Sequence, residues 1–142
     1  MILLDVNVLV YAHREDTPDH DAYRQYIEAQ LAAASPFGVS ELVLSGFLRV
    51  VTHPKVFRVP TPFALAMEFA EAIRSSPNCV VQAPGPRHWE LFTDLCRQTN
   101  ATGNLIPDAY HAALALETSS DWITSDSGFA RFPGLRWRHP LP

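Results

Sequence analysis

Four acidic residues stand where a solvated surface carboxylate is not the default. Asp5 ends the apolar run Ile2-Leu3-Leu4, and Glu41 follows a short apolar segment and Ser40. Asp108 comes directly after Pro107, and Asp126 follows Trp122-Ile123-Thr124-Ser125. Carboxylates gathered in one crevice repel each other and raise one another's pKa. A hard divalent cation such as Mg²⁺ or Mn²⁺ resolves that conflict, because it prefers carboxylate and water oxygens. One or two such ions can polarise a phosphodiester, activate water and stabilise a leaving oxygen. Other chemistries lack their parts: no His-Cys cluster suits zinc, no glycine-rich lysine loop suits a nucleoside triphosphate, and no paired nucleophile and base stands out.

For these acids to meet, the chain must bring strand ends and helix starts together. Ile2–Val6 reads as a first strand, followed by a short helix over Asn7–His13 and a polar loop over Arg14–His20. Asp21–Ala34 reads as a helix and Pro36–Val39 as a second strand. Ser40 is placed to cap the next helix, with Glu41 in its first position, where the helix dipole favours a carboxylate. Leu44, Phe47, Leu48 and Val51 recur at helical spacing, and Pro54 ends that segment. Thr61 is expected to cap a helix that begins with Pro62 and continues over Ala64–Arg74. Cys79–Gln82 is a weak third strand, and Arg87–Thr99 a helix. Asp108–Glu117 is a further helix, with Pro107 as its first residue. Trp122–Ser125 is the fourth strand, and Leu135–Arg138 is a fifth at a sheet edge. This alternation predicts an α/β fold: a mainly parallel sheet of about four to five strands flanked by helices. In such a sheet, ligands bind beyond the carboxyl ends of the strands, near the switch in strand order. Asp5, Glu41 and Asp126 map to such ends, and Asp108 reaches them from a helix N-terminus.

The chain of 142 residues suits one domain, residues 1–142. Its start has no basic leader, since Arg14 is the first basic residue, and no apolar stretch approaches a membrane span. A cytoplasmic protein without membrane attachment is expected. Cys79 and Cys96 fit that setting as two reduced, partly buried thiols. The net charge of −4 looks wrong for a nucleic-acid binder. Setting the four site carboxylates aside, however, leaves 11 acidic residues against 11 basic ones. Lys55 is the only lysine, and Arg suits bidentate phosphate contact better than Lys.

Taken together, these motifs resemble a known family. Asp5-Val6-Asn7-Val8-Leu9 looks like the opening Asp-x-Asn motif of PIN-domain nucleases. Glu41 with its apolar helix, Pro107-Asp108-Ala109, and Thr124-Ser125-Asp126-Ser127-Gly128-Phe129 match the remaining acidic positions in order. No single motif is specific, but the ordered set runs from residue 2 to about residue 138. Within the family the chain most resembles VapC-type toxins of type II toxin–antitoxin systems. Compact length, Gly103-Asn104-Leu105-Ile106-Pro107-Asp108-Ala109 and Phe129-Ala130-Arg131-Phe132-Pro133-Gly134-Leu135 carry that likeness. The resemblance implies a single PIN-like domain and an Mg²⁺-dependent endoribonuclease, with Mn²⁺ as the alternative ion. It also implies a homodimer, held inactive by a cognate VapB-like antitoxin. Asp5, Asp108 and Asp126 would hold the metal, and Glu41 would complete the set or bind through water. Water attacking phosphorus in line would leave 5′-phosphate and 3′-hydroxyl ends.

Asn7 is expected to hydrogen-bond backbone or orient Asp5, and Thr124 to place a hydroxyl near Asp5 or the metal. His111, three residues after Asp108, is set aside as a ligand, because the family pattern has no histidine there. His13, His20, His53, His88 and His139 show no ligand spacing and read as surface or loop groups. Arg49, Arg87, Arg131, Arg136 and Arg138 are candidates for phosphate contact. The apolar stretch Phe63–Ile73 suits core packing first, and a dimer or antitoxin groove second. Three other functions compete. A PIN fold retained only for RNA or protein binding would be expected to have lost an acid. A DNA-directed nuclease of the same fold would need strand-gripping elements that 142 residues leave little room for. Phosphoryl transfer through an aspartyl-phosphate wants a second acid where Asn7 stands, or a nearby lysine, and Lys55 is distant in the pattern.

Overall fold

The computed structural model describes all residues from Met1 to Pro142. Five short strands form one sheet: β1 (Ile2–Leu4), β2 (Phe37–Val39), β3 (Cys79–Val81), β4 (Asp121–Ile123) and β5 (Trp137–Arg138). Their order is β3-β2-β1-β4-β5, and every pairing is parallel. The three inner strands carry apolar residues on both faces, as a sheet covered on both sides requires. Leu3, Leu4, Phe37, Val39, Trp122 and Ile123 are almost wholly buried, whereas Val80 on the edge strand β3 is exposed. Gly38 is one residue of this sheet with no room for a side chain, because a Cβ there would overlap Leu3.

Six α-helices connect the strands: α1 (Val6–His13), α2 (His20–Ala32), α3 (Glu41–Val51), α4 (Phe63–Arg74), α5 (His88–Thr99) and α6 (Leu105–Glu117). Helix α1 packs on α2 and α3, α3 packs on α4, and α5 packs on α6. The contact between α1 and α3 is close: a Cβ at Gly46 would lie 2.9 Å from a methyl of Val6. No helix is long and apolar enough to cross a membrane.

Several boundaries differ from the sequence reading, each for a local reason. β1 stops at Leu4 because the Asp5 carboxylate takes the Val6 N–H and opens α1 there. β4 stops at Ile123 because the side chains of Thr124 and Asp126 organise the following turn. Ser40 caps α3 as expected, its hydroxyl accepting from Val43 N–H at 3.1 Å. Thr61 does not cap α4; its hydroxyl accepts from Arg14 at 3.1 Å instead. Helix α6 begins at Leu105, so Pro107 lies in its third position rather than its first. A proline is tolerated there, since the N–H groups of a first turn have no intrahelical partner. His88 is buried, not a surface group, with Nε2 2.9 Å from the Tyr110 carbonyl oxygen.

Candidate active site

The strand order reverses beside β1. The chain runs outward through β2 to β3, then returns to place β4 on the other flank of β1. The carboxyl ends of β1 and β4 therefore flank the switch point, where open α/β sheets leave a crevice. Asp5 directly follows β1, and Asp126 closes the turn after β4. A cavity of about 430 Å³ opens there, and Asp5, Asp108 and Asp126 all line it.

Asp5 is the most constrained of the three, at only 6% exposed. Its backbone N–H donates to the Ile123 carbonyl at 3.0 Å, which extends the β1–β4 ladder and pins the residue. One carboxylate oxygen accepts from Val6 N–H at 2.6 Å. The other accepts from the Thr124 hydroxyl at 2.7 Å and from the Asn7 amide at 3.2 Å. Thr124 is fully buried, and its Oγ1 also accepts from Asp126 N–H at 3.0 Å and from the Asn7 amide at 3.1 Å. The Asn7 carbonyl accepts from Ser125 N–H at 3.1 Å. Asn7 and Thr124 thus tie the start of α1 to the turn after β4 and fix how Asp5 presents its oxygens. Asp126 is braced by a bond from Gly128 N–H to its Oδ1 at 2.8 Å.

Burial pushes the Asp5 carboxyl up to about 6. The bonds from Thr124 and Val6 oppose that rise, and the charges of Asp108 and Asp126 reinforce it. Asp108, in the first turn of α6, is raised by burial and then by Asp126, with Arg131 acting against the shift. These carboxyl groups sense one another across the cavity, which is the repulsion expected of a set with no counter-charge at its centre.

Glu41 does not join them. It opens α3 beyond the end of β2, away from the switch point, with its side chain 69% exposed and ion-paired to Arg74 of α4 at 3.1 Å. It borders a separate, smaller pocket beside Val81 and Pro84. The structure thus brings three of the four expected carboxylates to one cavity and sets Glu41 outside its lining. The physical reason is the first-turn position, which directs Glu41 toward α4 and β3. On the cavity side, α3 instead contributes Arg49 and Val50.

His111 is the residue that the family pattern passed over. It lines the cavity, lies 7% exposed and stacks on Trp122 with ring centroids 5.3 Å apart. Its Nδ1 is buried with no hydrogen-bond partner. Burial, and secondarily the charge of His88, lowers its pKa to about 4, so the ring is neutral at physiological pH. The separation of three residues from Asp108 was the available signal, since it places both on adjacent faces of one helix.

The donor set is chemically consistent with a hard divalent cation: three carboxylates, no thiolate, and a cavity rather than a closed core. No three His, Cys, Asp or Glu side chains are grouped closely enough to hold an ion as they stand.

The PIN domain family model matches residues 2–135. Ribonuclease VapC43 of Mycobacterium tuberculosis is 46% identical over 141 residues, covering 99% of this chain and 96% of that protein. Ribonuclease VapC25 of the same organism is 43% identical over 140 residues, covering 99% of each. Among solved structures, VapBC2 from Rickettsia felis, bound to a DNA fragment from its promoter, superposes with a TM-score of 0.70 at 19% identity, covering 98% of each chain. The sarcin–ricin loop cleaving toxin VapC20 of M. tuberculosis gives a TM-score of 0.67 at 17% identity, covering 96% of this chain and 99% of that one. The structural likenesses show the fold, while the family model spans residues 2–135 and the sequence relatives cover 99% of the chain: this protein belongs to the PIN-domain family, among the VapC ribonucleases.

Proposed function

We infer that the protein is a divalent-metal-dependent endoribonuclease whose working centre is Asp5, Asp108 and Asp126, and that it acts as the toxin of a toxin–antitoxin pair. The observation that carries this reading is the convergence of those three carboxylates on one cavity at the strand switch, with burial and mutual repulsion raising Asp5 and Asp108. Bound there, Mg²⁺ or Mn²⁺ would supply Lewis-acid polarisation of the phosphodiester and activation of water. Asp5 offers oxygens held in place by Asn7 and Thr124, and Asp108 and Asp126 line the same cavity. Thr124 keeps a donor on Asp5, which holds charge on that carboxylate despite its burial. The neutral His111 ring leaves the cavity wall beside the carboxylates uncharged.

A cognate antitoxin and a homodimer are part of this reading. The solved VapBC complexes share this fold. The chain has exposed apolar side chains to offer at Val59, Phe63 and Leu65, whereas Ala66, Ala70 and Ile73 on the other side of α4 fill the core. A cytoplasmic setting suits Cys79 and Cys96, which are unpaired and half-buried.

The test is cleavage of a total RNA pool by wild type and by Asp5→Asn, with Mg²⁺, with Mn²⁺ and with chelator. The expected outcome is cleavage by wild type that needs metal and is lost in the variant. Metal-independent cleavage, or equal cleavage by Asp5→Asn, would overturn the assignment of the centre.

A further inference from the structure

The cavity holds three acids, yet the substrate assigned to it is a polyanion. Something in its wall must offset the repulsion that an RNA phosphate meets on entry. Arg49, in the last turn of α3, is the only Arg or Lys among the lining residues. Its guanidinium takes part in none of the six ion pairs of the chain. Neighbouring arginines are committed elsewhere. Arg14 bonds Asp16, the Val59 carbonyl and Thr61 and lies over the Phe57 ring at 4.1 Å. Arg131 donates to the Gly128 carbonyl at 2.8 Å and is the cation that acts on Asp108. Arg49 lines the same cavity as Asp5, Asp108 and Asp126 but forms no ion pair with any of them. Val50, Val56 and Phe57, which line the cavity with it, supply no anion.

An unpaired guanidinium that shares one open cavity with three carboxylates is available to an anion that enters there. Its planar fork matches two phosphate oxygens. We propose that Arg49 is the phosphate clamp of this site, gripping the RNA backbone in the cavity it shares with Asp5, Asp108 and Asp126. The clamp rests on the ribonuclease reading, since it assigns a partner to the same cavity. Arg49 is exposed in the last turn of α3 and makes no ion pair, so its removal should spare the fold.

The test compares wild type, Arg49→Ala, Arg49→Gln and Arg49→Lys on a short mixed-sequence single-stranded RNA, with thermal melting as the check on folding. Steady-state cleavage gives KM and kcat. Fluorescence anisotropy in the non-cleaving Asp5→Asn background gives affinity against salt. Arg49→Ala and Arg49→Gln should weaken binding about ten- to hundredfold, as expected for loss of a charged bidentate contact. The slope of log affinity against log salt should become shallower by about 0.7, the value for one lost phosphate contact on a single strand. Arg49→Lys should restore the slope but only part of the affinity, because it keeps the charge and loses the fork. If wild type cleaves and Arg49→Ala shows the same KM and salt slope, the clamp is refuted while the ribonuclease reading stands. A fall in kcat alone, with KM and slope unchanged, refutes it equally. If wild type does not cleave RNA, the ribonuclease reading fails, and an unchanged slope in the binding arm then removes the clamp as well.

Discussion

Asp5 and His111 are buried against the same cavity, and they pull the stability of the metal-free protein in opposite directions as pH changes. Asp5 is raised from an ordinary 3.8 to about 6 in the folded state. Between those values the native protein holds a proton that the unfolded chain releases. Its contribution is fully present below the unfolded value and is lost as pH rises through about 6. At 1.36 kcal/mol per pH unit, the loss amounts to about 3 kcal/mol. His111 is lowered from 6.5 to about 4, so the unfolded chain binds the proton first as pH falls. Its contribution is present above 6.5 and is lost as pH falls through about 4. That is again about 3 kcal/mol, with the opposite slope. Asp108 and His13 add smaller contributions of the same two signs. Wild type should therefore show a nearly flat stability over this window. Asp5→Asn removes one arm and should gain about 3 kcal/mol from the acid end of the window to the neutral end, or about 6–12 °C in Tm for a chain of this size. His111→Asn should show the mirror-image decline. The assay is thermal and denaturant unfolding with chelator present, across the window, reading the difference between variant and wild type at each pH. A difference that stays constant with pH would refute the burial argument for Asp5, whatever its size.

Divalent metal should raise Tm, and the increment should grow as pH rises through about 6, because Asp5 must lose its proton to bind. An increment that does not change between about pH 5 and about pH 8 would show that Asp5 is not a ligand. Thr124→Val deletes a donor to Asp5 and the acceptor for Asp126 N–H in a fully buried place. It should cost about 1–3 kcal/mol in unfolding measurements and about ten- to a hundredfold in metal affinity by calorimetry. Glu41→Gln should leave RNA cleavage within about twofold of wild type and change stability by less than about 1 kcal/mol, since only a solvent-exposed ion pair is lost. A large loss of cleavage there would return Glu41 to the working centre.

The sequence alone determined the α/β alternation, the near-continuous apolar strands of a covered parallel sheet, and the position of Asp5 and Asp126 at strand ends. These are local matters: apolar runs, a Ser40 cap, and acids that interrupt otherwise buried segments. The order of strands, with β1 between β2 and β4, is not written in any window of residues, and it alone decides which strand ends meet. For that reason Asp5 and Asp126, 121 positions apart in sequence, face one cavity. Sequence spacing gave Glu41 the same standing as the others because a first-turn acid after a strand looks alike whichever way its side chain turns. The tertiary packing of α3 on α4 turned it toward Arg74 and brought Arg49 to the cavity. The packing of α6 on β4 likewise buried His111 against Trp122. Local chemistry marked the residues fit for the work; long-range packing chose among them, because a buried carboxylate's partners come from segments the chain joins only on folding.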